Sequence, residues 1–167
     1  YGRALDNYQQ AREIFSDADL PAYRAMCDQN LGTLYRTVGE TANALAHYGV
    51  ARETFADQRM PGFTARCDTQ MAAVYLDLGQ LDEAQRRLEQ ALVICRQEGM
   101  VLGADLCEML IAEVERRRGD NAAANRRYSA IRERLRQTSM AVDAAVCTVA
   151  LGELALEAGD PTRAQTE

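Results

Sequence analysis

The chain is 167 residues long, which suits one compact domain or a short repeat array with a sizeable core. Apolar residues make up 47% and charged residues 26%, which excludes a disordered tail, and only three prolines favour helix over a turn-rich β-sandwich. Nineteen basic residues, all of them Arg, against 25 acidic ones give a net charge of −6, which disfavours nonspecific binding to nucleic acid or an anionic membrane. No run approaches the roughly 18–20 apolar residues of a membrane-spanning helix, and no secretory apolar region is visible.

Taken in chain order, residues 1–20 place Ala4, Tyr8, Ala11 and Phe15 on one helical face. Residues 21–60 open with Pro21, tolerated in a helix's first turn because that N–H has no intrahelical partner. Cys27, Leu31, Leu34, Tyr35 and Val38 then follow the spacing of one apolar face, and Gly39 supplies a left-handed residue that ends the helix. A second helix carries Ala44, Tyr48, Ala51 and Phe55. Residues 61–100 repeat the plan with Pro61, then Cys67, Met71, Val74, Tyr75 and Leu78, then Gly79, then Ala84, Leu88, Ala91 and Cys95. Residues 101–140 keep Gly119 and the face of Ala124, Tyr128, Ile131 and Leu135, but Glu115 stands where Tyr35 and Tyr75 stood. Residues 141–167 offer Leu151-Gly152 and Gly159, after which Asp160-Pro161 reads as a cap and first-turn proline restarting a helix.

The interval between these units is constant. Cys27, Cys67, Cys107 and Cys147 are spaced by 40, as are Gly39, Gly79, Gly119 and Gly159, the series from Ala4 to Ala164, and Met60, Met100 and Met140. Segments 21–60 and 61–100 share nine identities in 40, among them the Cys, the Gly and a Tyr pair. Several registers kept at once define a repeat protein.

The run Leu31-Gly32, Tyr35, Gly39, Ala44, Tyr48, Ala51 resembles the tetratricopeptide repeat, and Met71-Ala72, Tyr75, Gly79, Ala84, Leu88 and Ala91 resemble it again. At 40 residues the unit is similar to the longer-helix subclass seen in kinesin light chains, polarity adaptors and bacterial regulators. The resemblance implies an all-α fold, a right-handed α-solenoid of antiparallel helix pairs. It would form a single array over 1–167, with 1–20 the second helix of a preceding unit, repeats at 21–60 and 61–100, a degenerate repeat at 101–140 and a partial one at 141–167. Neither end carries the polar face of a capping repeat, so a piece of a longer protein is expected, with pairing of copies through the uncapped ends as one further partner mode.

Chemistry is sparse. Equivalent positions on neighbouring helices lie about 8–10 Å apart, beyond disulfide reach, and no Cys has metal-site spacing, so the five cysteines are expected as reduced core residues in a reducing, cytoplasmic setting. His47, the one histidine, is off the core register and is expected to face solvent. No phosphate loop, dinucleotide turn or helix-borne zinc motif is present. The chain reads as a non-enzyme without cofactor or metal.

Two surfaces remain. From 115 to 136 eight arginines stand against three acids, a local +5 that includes Arg117, Arg127 and Arg134; it reads as a solvated helix pair or as a docking patch for an acidic partner. Opposite the core stripe of each first helix lie the positions that the resemblance assigns to a concave, partner-binding groove. They bring together Arg36, Arg66, Leu76, Leu106, Met109, Glu113, Arg116, Val149 and Leu156. The expectation is a protein-interaction module taking a peptide or neighbouring domain whose residues alternate apolar with acidic, the arginines gripping carboxylates at the rim. The alternative is the regulatory array of a larger bacterial effector, a transcriptional regulator or repeat-associated protease.

Overall fold

The computed structural model describes residues 2–137 and 141–159; Met140, the Asp160-Pro161 restart and Ala164 lie outside them. Among the described residues there are eight helices and no strand. They are α1 Gly2–Asp17, α2 Pro21–Thr37, α3 Thr41–Asp57, α4 Pro61–Asp77, α5 Leu81–Gln97, α6 Val101–Arg117, α7 Asn121–Gln137 and α8 Ala141–Glu157. The fold is all-α, built from antiparallel helix pairs. Pro21 and Pro61 occupy the first turns of α2 and α4, as their sequence positions imply.

The three-residue connections explain the regular spacing. Gly39 has φ +80°, its N–H donates to the Arg36 carbonyl, and the next N–H, of Glu40, reaches back to the Tyr35 carbonyl at 2.9 Å. That pair of bonds satisfies carbonyls that the helix end leaves orphaned. Gly79, Gly119 and Gly159 take the same left-handed conformation, as expected. The structure adds a difference: the second helices end the same way, with Gly99 at φ +65° but Asp19 at +52° and Arg59 at +54°. Two non-glycine residues therefore accept a conformation that L-residues rarely adopt.

The molecule divides into two compact units, Tyr1–Ala104 and Asp105–Glu167, with the division falling inside α6. In the first unit, Ala51 and Phe55 pack with Ala25 and Cys67, and Ala44 and Tyr48 pack with Met71 and Val74. These are the knob residues read from the sequence. Small residues on the first helices make the approach close: a Cβ on Gly32 would lie 2.7 Å from the Tyr48 ring. Phe15 stacks on Tyr23 and Phe55 tilts against Phe63, at centroid distances of 5.3 and 4.9 Å. At the equivalent third position Cys95 meets Gly103, where a Cβ would come within 2.9 Å of the sulfur, so the smaller pair draws the helices together. Val38 and Leu78 depart from the expected core stripe and are exposed, because each is the cap residue at which its helix has stopped turning.

In the second unit Ala112, Ala124, Tyr128, Ile131 and Leu135 form a core with Ala144, Cys147, Leu151 and Leu154. All five cysteines of the chain are buried, and none is joined in a disulfide. Burial pushes the Cys67 thiol up to about 12, which leaves it protonated and unreactive at neutral pH.

Candidate interaction surface

Two buried carboxylates hold the first unit's helices together. Asp28 and Asp68 on α2 and α4 are both 0% exposed. Asp68 accepts from Arg52 Nε at 2.7 Å, on the helix before it, and from Arg87 Nη1 at 2.9 Å, on the helix after it. Asp28 pairs in the same sense with Arg12 Nε at 2.9 Å and His47 Nδ1 at 2.9 Å. His47 is thus not the solvent-facing residue expected. It is half-buried, tied to Asp28, and stacked on the Tyr35 ring at 5.2 Å and 9°. Core periodicity missed these groups because they are polar. The available signal was the 40-residue recurrence of Arg12 and Arg52, Asp28 and Asp68, and His47 and Arg87.

On the first-helix face of this unit, the arginines expected at the rim of a groove are engaged by neighbouring polar side chains. Arg36 Nε donates to Asp77 Oδ2 at 2.8 Å, and Gln29 Nε2 donates to Gln70 Oε1 at 2.5 Å. Arg66 Nη2 donates to Gln29 Oε1, and its guanidinium lies 4.7 Å over the Phe63 ring. Gln70 Nε2 and the Tyr48 hydroxyl both donate to Thr33 Oγ1. Leu76 must be withdrawn from the surface: it is 4% exposed, because α4 is covered around most of its circumference, from Thr64 and Ala65 to Val74 and Leu76. The face here is a polar seam.

The second unit presents the opposite character. Leu106 is 48% exposed on α6, and on α8 Val146, Val149 and Leu156 are 49%, 63% and 63% exposed. Met109, half-buried, packs on the core cluster beneath them. Glu113 receives Arg116 at 2.8 and 2.9 Å and Arg117 at 2.5 Å, and Arg116 Nη1 reaches across to Glu157 on α8 at 2.6 Å. Burial works to raise the Glu113 carboxyl, but the hydrogen bonds from Arg116 and Arg117 outweigh it and hold the group below the usual carboxylate range. Arg116–Glu157 repeats the relation of Arg36–Asp77, each joining one first helix to the next across 41 positions.

Two arginines of the Arg-rich helix α7 reach carboxylates of α6. Arg127 Nη2 donates to Glu115 at 2.7 Å, and Arg134 Nη2 to Asp105 at 2.6 Å and Glu108 at 2.8 Å. Asp105 and Glu108 lie outside 115–136, so part of the local +5 is met by carboxylates that a sequence window does not include. Among the described residues, no group of three His, Cys, Asp or Glu side chains could hold a metal ion, and no helix is long and apolar enough to cross a membrane.

No family model matches the chain, and no characterised protein matches it by sequence. Solved structures do resemble it. The apo form of RapI superposes with a TM-score of 0.83 at 13% identity over 97% of this chain and 45% of that one. BtubC (BKLC) from P. vanneervenii gives 0.76 at 18% identity, over 96% of this chain and 70% of the other. A putative kinesin light chain of Podosopora anserina with nearly identical TPR-like repeats gives 0.77 at 16% identity, over 99% and 82%. The chain spans less than half the length of RapI. At these identities the likeness establishes a tetratricopeptide-like fold and nothing finer.

Proposed function

On this tetratricopeptide-like scaffold, we propose that the chain is a non-catalytic protein-interaction module. Its working surface is the first-helix face of the second unit. The observation that carries this reading is the exposure of Leu106 on α6 and of Val146, its equivalent on α8, together with Val149 and Leu156 of α8. Single exposed apolar residues are ordinary, whereas a cluster flanked by charged groups is the signature of a docking site. Burying it would supply roughly 25 cal/mol per Å², before association costs that leave an affinity of about micromolar strength. The partner is a polypeptide segment with an apolar face. An acidic complement to that face loses its support, since its Arg116 is already engaged by Glu113 and Glu157.

The test uses a fluorescently labelled synthetic helical peptide with a leucine face, titrated against the full chain. The Leu106→Asp, Val149→Asp double variant should lose binding at least tenfold while its circular dichroism stays helical. Unchanged affinity would remove this face from consideration, and loss of binding in Arg127→Glu or Arg134→Glu instead would give the work to the Arg-rich segment.

A further inference from the structure

Resting on that reading, the comparison of α6 with α8 says more about the partner's charge. On α6 the carboxylate of Glu113 lies seven positions after Leu106 and is closed off by Arg116 and Arg117 of its own helix, three and four residues on. On α8 the equivalent carboxylate is Glu153, seven positions after Val146, but the two places that hold arginines on α6 are Leu156 and Glu157. Glu157 is itself taken by Arg116. Among the described residues no hydrogen bond or ion pair closes on Glu153, which is exposed between Val149 and Leu156. Glu153 is therefore exposed beside Val149 and Leu156 without a counterpart of the two arginines that close on Glu113.

We infer that the second unit's face takes a polypeptide segment that sets apolar side chains on Leu106, Val146, Val149 and Leu156 and a basic side chain, Arg or Lys, on Glu153. The partner supplies from outside the guanidinium that α6 supplies from within. Charge complementarity decides this sign: an acidic side chain at that point would meet Glu153 while Arg116 and Arg117 are already bound to Glu113, and like charges across an interface are disfavoured.

Three short synthetic helical peptides test this, sharing one leucine face and differing at a single flanking position that holds Arg, Gln or Glu. Each is titrated by fluorescence anisotropy against the full chain, the Glu153→Gln variant and, as a control, the Glu133→Gln variant on α7. The Arg peptide should bind the unaltered chain about threefold more tightly than the Gln peptide, with the Glu peptide weakest, an advantage of the size exposed ion pairs give. Glu153→Gln should erase that order and Glu133→Gln should keep it. Binding without discrimination, or an order that survives Glu153→Gln, overturns the basic-partner inference and leaves the apolar face standing. Failure of all three peptides to bind overturns both.

Discussion

At Asp28 and Asp68 a carboxylate without solvent exposure binds side chains from the helices on either side, Arg12 and His47 in one case and Arg52 and Arg87 in the other, so each residue fixes three helices at once. Removing one member of a buried ion set costs more than the set contributes, because the remaining charges stay desolvated. Asp68→Ala should therefore destabilise the chain by on the order of 3 kcal/mol in urea unfolding, since Arg52 and Arg87 lose their shared partner. Gly32→Ala should cost about 1–3 kcal/mol in the same measurement, the added carbon being driven into the Tyr48 ring. Glu113 sets a pH dependence. Its folded-state pKa is depressed, so its contribution is present above the unfolded carboxylate value, about 4, and is lost as pH falls through the lower folded value. Urea midpoints followed from neutral to acid pH should fall in that range, and Glu113→Gln should make the fall shallower.

At the scale of the element, the connections carry the repeat. A left-handed residue recurs every 20 positions from Asp19 through Gly119, yet the sequence marks only some of these with glycine. This limits what composition can reveal: Gly39, Gly79 and Gly119 announce their conformation, while Asp19 and Arg59 hold it because the packed helices on either side impose it. The strain is local and testable. Arg59→Gly should stabilise by about 0.5–1 kcal/mol and Gly79→Ala should destabilise by about 1 kcal/mol or more, read as opposite shifts of the denaturant midpoint. The helices and their core stripes were legible because apolar periodicity reports burial directly, as Ala44, Tyr48, Ala51 and Phe55 show. The buried carboxylates were not, because an aspartate's partners stand 16 and 19 residues away and periodicity says nothing about polar pairing.

For the whole molecule, two units share one plan and differ in what they leave uncovered. The first closes its first-helix face with Gln29, Gln70, Arg36 and Asp77; the second leaves Leu106, Val146, Val149 and Leu156 open. A helical wheel located these positions but could not separate Leu76, which is buried, from Leu156, which is exposed, since both occupy the same register. Nor could it see that Arg36 and Arg116 pair with carboxylates of the chain, and that Arg66 bonds Gln29 and lies over Phe63. On this proposal a partner binds at the open apolar face of the second unit. Titration of the labelled leucine-faced peptide against the Leu106→Asp, Val149→Asp variant should then show at least a tenfold loss of affinity with helical content intact; an affinity equal to that of the unaltered chain would rule that face out.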